Sequence, residues 1–378
     1  MGSVELRGVT TRYGKTVALS ELELDIADGE FFVLLGPSGA GKTTTLKSVA
    51  GLVDSVAGEV RIAGRSMAGV EPYQRNVAMA FESYALYPQQ TVEQNLASPL
   101  RSGRTGRYTA AQQTERIRAV TETLGISHLL GRFPRELSNG QRQRTALGRV
   151  LVRPAEAYLL DEPLSHLDAK LRASMRAELK QLGEMARTTT LYVTHDYQEA
   201  LALGDRVGVL RDGRLVQVGT PSQVWDEPAD TFVARMFGQP EMNLLPAHLI
   251  QCVQHGDSVT SAHARSAGGG VTVGVPDGCP ESVRLGIRPR DLLVVSGPPP
   301  TDRLTLRGKV TLAERLGRSV ELSVAVGGDT LIAMTSDQRV GEGDEVTLAV
   351  EWSRVHLFGG PNGDAPRLGA AVAAGGAR

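Results

Sequence analysis

The chain has 378 residues, 41% of them hydrophobic, enough to bury more than one core, and its length sets an expectation of two domains. Its 41 basic and 42 acidic side chains leave a formal charge of −1, so composition gives no electrostatic case for a polyanion and nucleic acid is not an expected partner. Cys252 and Cys279 are the two cysteines, without CxxC or metal-ligand spacing, which argues against a disulfide scaffold or a zinc site. No basic stretch followed by an apolar run opens at Met1–Glu5, so no secretory signal is expected. Apolar runs such as Phe31–Leu35 are far too short to cross a bilayer, and any membrane role has to come through partner subunits.

In chain order, residues 3 to 35 carry short apolar runs separated by Tyr13-Gly14-Lys15 and Asp28-Gly29, a pattern that predicts strands and hairpins. Phe31–Leu35 ends in the glycine-rich turn Gly36–Gly41, and Lys42–Ala50 continues as a helix until Gly51 stops it. Between about 85 and 152 the signals are helical, clearest over Gln112–Leu124 and Gln141–Val152, and read as a helical insertion. Two further apolar strands follow: Ala157–Leu160, ending in Asp161-Glu162, and Thr190–Val193, ending in Thr194-His195. Strands alternating with helices predict an α/β core. Past about 240 the pattern changes to valine-rich alternation at 271–275, 283–287, 320–324 and 346–350, which predicts a small β-barrel or sandwich. Gly297–Thr301, with three consecutive prolines, reads as an exposed turn, and Gly359–Arg378, rich in Gly and Ala, as a disordered tail.

The chemistry is concentrated at Gly36-Pro37-Ser38-Gly39-Ala40-Gly41-Lys42-Thr43, which fits G-x-x-x-x-G-K-[ST] and lies between a predicted strand and a predicted helix, as a P-loop requires. Glycines let backbone N–H groups curve around phosphate oxygens, and the helix N-terminus adds positive potential. Lys42 supplies a point charge for the β- and γ-phosphates, and the Thr43 hydroxyl suits a Mg²⁺ shell. Kinases, GTPases and many ATPases share that loop. Asp161 and Glu162 at a strand end narrow the choice: one acid can hold Mg²⁺ through water and the next can polarise an attacking water. Alone, such a pair is as often solvated charge, and it gains weight from Leu137-Ser138-Asn139-Gly140-Gln141, a short helix upstream.

With these segments in view the sequence resembles the ABC ATPase family, and within it the maltose-type subgroup of sugar-importer ATPases. Pro134–Arg144 resembles the signature segment, Leu160–Asp168 the Walker B strand and D-loop, Tyr192–Asp196 the switch-histidine segment, and Arg12-Tyr13-Gly14 the loop whose ring stacks on adenine. Ser83–Pro88 is similar to the segment after the Q-loop, where a transmembrane subunit docks. Phe232-Val233-Ala234, Pro240–Asn243 and Gly286–Pro289 resemble the subgroup's C-terminal regulatory domain, so the likeness runs over roughly residues 3 to 358.

The resemblance implies an α/β P-loop NTPase (RecA-like) core with antiparallel β and helical subdomains over 1–238, then a β-rich OB-like regulatory domain over 239–358. It implies ATP and Mg²⁺ as cofactors, with nucleotide contacts from Tyr13, Gly36, Pro37, Ser38, Gly39, Ala40, Gly41, Lys42, Thr43 and Thr44. Two nucleotide domains would face head to tail, so that Ser138, Asn139, Gly140 and Gln141 of the facing subunit complete each site and Asp168 communicates across the interface. An exposed aspartate near a turn also suits a helix cap. Thr43, Asp161 and Glu82 would attend the metal, Glu162 would be the general base, and His195 would hold the γ-phosphate and water. The implied partners are two transmembrane permease subunits, a second ATPase subunit, an extracytoplasmic solute-binding protein and a regulator at the C-terminal domain. The chain would then lie peripherally on the cytoplasmic face of the membrane.

Three positions depart from the family pattern. Glu82 stands in place of the Q-loop glutamine and adds negative charge near the triphosphate; Asn139 replaces the usual first glycine of the signature; and Tyr197 stands where a glutamine is common. These changes motivate a competing expectation, a weakened or regulatory ATPase paired with a different one. Importers of polyamine, iron or sulfate share the design, and a soluble ABC ATPase of DNA or ribosome work is disfavoured by the single P-loop and neutral balance. In 244–358 neither a basic groove nor an aromatic platform is evident, so regulatory contact or dimer support is expected there rather than oligonucleotide binding.

Overall fold

The computed structural model describes residues 2–81, 83–101, 108–165, 167–186, 188–255, 259–266, 269–275, 282–295, 297–298, 300, 302–360 and 363–370. They form two compact units, Met1–Val224 and Trp225–Arg378. In the first, β1 (Val4–Tyr13) and β2 (Thr16–Ile26) make a long hairpin, and β3 (Phe31–Leu35) runs through the glycine-rich turn into α1 (Lys42–Ala50). Strands β4 (Ala57–Ile62) and β5 (Arg65–Ser66) complete an antiparallel sheet of order β2-β1-β4-β5. After β6 (Val77–Ala80) come α2 (Val92–Arg101), α3 (Ala110–Thr123) and α4 (Asn139–Leu151), the expected helical insertion.

The chain then alternates: β7 (Ala157–Asp161), α5 (Ala169–Ala186), β8 (Thr189–Thr194), α6 (Tyr197–Leu203), β9 (Arg206–Arg211) and β10 (Arg214–Gly219). A six-stranded sheet of order β10-β9-β3-β8-β7-β6 results, parallel except for the edge strand β10. Strands β3, β7 and β8 are buried at every position, as expected where both faces of a parallel sheet are covered. Leu35 pairs with Thr194 and Asp161 with Val193, so the carboxyl ends of these three neighbours are level and their loops open on one edge, where open α/β sheets bind ligands. One apolar core, with Leu6, Leu24, Phe32, Leu46, Leu159 and Leu191, ties the hairpin sheet and α1 to the parallel sheet.

At its far end α1 stops on Gly51, whose φ is +75°. The Arg75 guanidinium closes that end by donating to the carbonyls of Ser48 (3.0 Å) and Val49 (3.1 Å), placing a cation at the negative pole of the helix.

The second unit opens with α7 (Thr231–Met236), capped by Asp230, whose Oδ1 accepts from Val233 N (2.8 Å). Eleven strands follow: β11 (Asn243–His255), β12 (Val259–Ser266), β13 (Gly269–Val275), β14 (Ser282–Ile287), β15 (Leu293–Val295), β16 (Leu304–Leu316), β17 (Ser319–Val326), β18 (Asp329–Thr335), β19 (Glu345–Val350), β20 (Val355–Gly359) and β21 (Arg367–Ala370). They form two antiparallel sheets, β13-β12-β11-β14-β20-β21 and β15-β19-β16-β17-β18. Leu285 and Leu357 of one sheet share a core with Leu306, Leu322 and Leu348 of the other. Asn243 ties the two together, accepting from Ile332 N and donating to Ile332 O, both at 2.8 Å.

Two boundaries differ from expectation. This unit begins at Trp225, ahead of residue 238, because Arg288 binds the carbonyls of Phe237 and Trp225 and lies 3.8 Å from the centre of the Trp225 ring. The tail from 359 is not disordered throughout: β21 pairs with β20, Ala365 is buried beside Phe358 and Met242, and Asp230 bridges Pro366. Residues 371–378 lie outside the described residues, as do 299 and 301 of the expected proline turn, while Gly297 and Pro298 are exposed. Among the described residues no helix is long and apolar enough to cross a membrane.

Buried on β20, His356 carries a testable pH dependence. Burial first, then the charges of Arg288, Arg367 and Arg354, hold its imidazole down to about 4, against 6.5 for a free histidine. The unfolded chain takes up that proton near 6.5 and the folded chain only near 4, so stability present above 6.5 is lost as pH falls towards 4, by about 3 kcal/mol in all. Denaturant unfolding at a series of pH values should show this fall in the wild type and a shallower one in His356→Phe. An equal fall in both would refute the assignment.

Candidate active site

The turn after β3 is held by its glycines. A Cβ on Gly36 would lie 2.5 Å from Leu210 O, and one on Gly41 2.7 Å from Ala18 O, where the backbone also has φ +107°. Gly41 is the left-handed N-cap of α1. The turn therefore presses against β2 and β9 while Pro37, Ser38 and Gly39 remain exposed at its tip. Lys42 is buried, and its Nζ donates to Gly36 O (2.9 Å) and Pro37 O (3.0 Å), so the ammonium stands in the mouth of the loop. Thr44 is half-buried on the first turn of α1, and Thr45 is tied back to Gly41 O (3.0 Å).

Beside this loop, the end of β7 presents two acids in different settings. Asp161 is buried and its Oδ1 accepts from Thr43 Oγ1 at 3.0 Å. A carboxylate and a hydroxyl in contact beside a phosphate loop are the hard oxygen donors that Mg²⁺ takes, so these residues fit that ion. Glu162 has φ +44°, a left-handed conformation that a glutamate seldom adopts. The turn is held by Glu162 N donating to Val193 O (3.1 Å) and by Ser165 Oγ donating to Glu162 O (2.9 Å). Its carboxylate lies 3.6 Å from Lys42 Nζ on one side and 2.8 Å from His195 Nδ1 on the other.

His195 lies directly past β8 and is 57% exposed, so its ring meets Glu162 on one side and solvent on the other. Below it, Thr194 Oγ1 (2.7 Å) and Tyr192 Oη (2.8 Å) both donate to Glu199 of α6. Burial pushes the Glu199 carboxyl up, opposed by these hydrogen bonds, and pushes the Tyr192 phenol well up.

Ser138 to Gln141 stand at the start of α4 as a reciprocal cap. Ser138 Oγ accepts from Gln141 N (3.3 Å), and Gln141 Oε1 accepts from Ser138 N (3.0 Å). Ser138 and Asn139 are exposed, and Asn139 is the first helical residue. A Cβ on Gly140 would meet Leu171 and Leu167 side chains at 3.1 and 3.2 Å, which seats α4 on the loop after β7. Among the described residues the Ser138 and Gln141 side chains each accept from the other's backbone N–H and do not bond Gly36–Thr43. Asp168 caps α5, its Oδ1 accepting from Leu171 N (2.8 Å). Tyr13 ends β1 with 48% of its surface exposed. Glu82 lies outside the described residues.

One chain thus brings together Lys42, Thr43, Asp161, Glu162 and His195, while Tyr13, Ser138 and Asn139 are exposed and Gly140 and Gln141 half-buried. Sequence reasoning missed two residues that shape the surroundings. Gln143 is buried and donates to Pro163 O, and Arg149 donates to Ala85 O (2.6 Å) while lying 5.2 Å from the centre of the Tyr87 ring. Both act on backbone carbonyls or a ring, partners that no local motif announces.

A parallel sheet with a phosphate loop, an acid pair and a histidine on its carboxyl edge defines a P-loop nucleotide-binding protein. Residues 19–165 match the ABC transporter family model, and residues 300–357 match the TOBE domain model. The trehalose/maltose import ATP-binding protein MalK of Thermococcus litoralis is 42% identical over 97% of this chain and 100% of its own length. The sn-glycerol-3-phosphate import ATP-binding protein UgpC of Cereibacter sphaeroides is 40% identical over 96% of this chain and 99% of its own. Among solved structures, a bacterial ABC transporter cassette determined as a dimer matches with TM-score 0.54 and 28% identity, covering 58% of this chain and 98% of that one. The chain belongs to the ABC transporter family.

Because Gly41 combines a left-handed φ with a carbonyl 2.7 Å from any added Cβ, Gly41→Ala should distort the loop. Backbone strain of roughly 1–3 kcal/mol, expressed at the phosphate contacts, predicts about five- to 150-fold weaker binding in a titration with a fluorescent ATP analogue. Unchanged affinity would contradict the geometry described for the loop.

Proposed function

We propose that this chain hydrolyses MgATP as the motor subunit of a solute importer, with a sugar, oligosaccharide or glycerol phosphate as cargo. The observation that carries the chemistry is the contact of Glu162 with both Lys42 (3.6 Å) and His195 (2.8 Å) beside the Thr43–Asp161 pair. Lys42 and the N–H groups of Gly39 to Thr43 bind the β- and γ-phosphates and gather charge as the bond to the leaving phosphate lengthens. Thr43 and Asp161 hold Mg²⁺, which neutralises charge on the triphosphate when bound. Glu162 takes a proton from the attacking water, and His195 orients that water and the γ-phosphate. Tyr13 offers an exposed ring for the adenine, and the exposed Ser138–Gln141 helix start of a second copy supplies a further positive pole.

Cargo and partners are inferred from the relatives, whose names describe import of trehalose, maltose and glycerol phosphate and whose likeness spans nearly the whole chain. Two permease subunits and an external binding protein complete the machine, which puts this subunit on the cytoplasmic face of the membrane. The second unit, with its TOBE match, is a regulatory module. A homodimer is favoured over pairing with a different ATPase, because Asn139 enters α4 in ordinary helical geometry and so keeps the N–H that a phosphate needs.

Glu162→Gln should bind ATP as tightly as the wild type and lose turnover by about 10²–10⁴-fold, the range for removing a general base. Phosphate release by the purified chain measures turnover, and an analogue titration measures binding. Wild-type turnover in this variant would remove Glu162 from its role. For the cargo, deleting the gene should abolish cellular uptake of labelled trehalose, maltose or glycerol 3-phosphate; normal uptake of all three would overturn the sugar reading.

A further inference from the structure

Helix α5 carries cations at 172, 176 and 180, one turn apart on one face, and each reaches α6. Arg176 Nη1 donates to Gln198 Oε1 (3.4 Å), and Lys180 Nζ donates to Ala202 O (3.1 Å) in the last turn of α6. Arg172, the first of the three, reaches in two directions. Its Nη2 donates to Leu167 O (3.1 Å) and Ser165 O (3.4 Å), carbonyls of the turn before Asp168. Its Nη1 donates to Asp196 Oδ2 (3.5 Å), and its Nε lies 4.0 Å from Glu199 Oε1.

Both acids belong to the segment that aims His195. Asp196 follows it directly and caps α6, its Oδ1 accepting from Gln198 N (2.7 Å), while its own N–H donates to Thr194 Oγ1 (3.0 Å). Glu199 gathers the Thr194 and Tyr192 hydroxyls of β8. On the other side, Asp168 caps the very helix that carries Arg172, and Arg172 N donates to Asp168 O (2.8 Å).

We infer that Arg172 is a positioning residue that couples the loop of Asp168 to the loop of His195, so that a displacement at one is felt at the other. The planar fork makes this possible: its separate terminal N–H groups engage carbonyls of one loop and the Asp196 carboxylate of the other in fixed relation, with Glu199 within ion-pair distance, which a single ammonium does not reproduce. Arg172 makes no hydrogen bond to Gly36–Thr43 among the described residues, so its effect falls on turnover and not on nucleotide affinity. The inference rests on the reading of His195 given above.

The test is steady-state ATP turnover by the full chain with MgATP. Arg172→Met should lower kcat about tenfold or more and leave KM for ATP within about twofold, with the unfolding temperature nearly unchanged. Arg172→Lys, which keeps charge and stem, should recover only part of the loss. In a double-mutant cycle, Arg172→Met with Asp168→Ala should be little worse than the more damaging single variant, as for residues acting as one unit. Wild-type kcat in both Arg172 variants, or effects that simply multiply with Asp168→Ala, would overturn the coupling. His195→Ala separates the two levels: if it turns over normally, the His195 reading fails; if it is dead while Arg172→Met is normal, the coupling alone is wrong.

Discussion

The contact between the Lys42 ammonium and the Glu162 carboxylate is the one on which the site's arrangement depends. Lys42 is buried and already held by two carbonyls of its own loop, and Glu162 approaches it only because its backbone takes a left-handed turn at the end of β7. A buried ion pair is weak support for stability, since desolvation offsets much of the attraction, and left-handed φ at a glutamate adds strain. Neither feature makes sense as scaffolding. Both make sense for a chain that meets a triphosphate: the phosphates offer Lys42 a stronger anion, and Glu162 is then left facing His195 and water.

That arrangement is built by sheet order. Thr43 and Asp161 are 118 positions apart and become neighbours because β3 and β7 both flank β8. The individual strands were legible in the sequence, since each is a short apolar run ending abruptly in glycine, acid or histidine, and a run buried on both faces leaves no period to misread. The order of the strands was not legible from those runs. In the second unit, alternation made β17 visible, because one face of that strand meets the core and the other does not, whereas β14 is buried at all but its first position and β19 at all but its first and third.

Failures of the reading have a common physical origin in long-range main-chain bonds. Residues 363–370 have the composition of a tail, yet β21 forms because β20 offers it an open edge, and Ala365 is covered by Met242 and Phe358 from elsewhere in the unit. Glycine and alanine carry little signal of their own, so nothing local separates a strand from a coil there. Asn139 departs from the family pattern without disturbing the backbone, because the Ser138–Gln141 cap makes a helix start there.

Three arginines make the same point from the side of energetics. Arg75 closes the end of α1, Arg172 spans two loops at the active site, and Arg288 ties Trp225 and Phe237 into the second unit, each by donating to backbone carbonyls. A guanidinium suits this work because its donors diverge in a plane and satisfy several carbonyls left over at helix ends and turns. Burial pushes the Arg75 guanidinium down from its usual range, an expense that the carbonyls offset. Since every residue has a carbonyl, such an arginine has no partner residue to be recognised by, and it reads in the sequence as one more surface charge. The motifs therefore announce which groups gather at the carboxyl edge of the parallel sheet, while the residues that hold those groups in register emerge only when the backbone is folded around them.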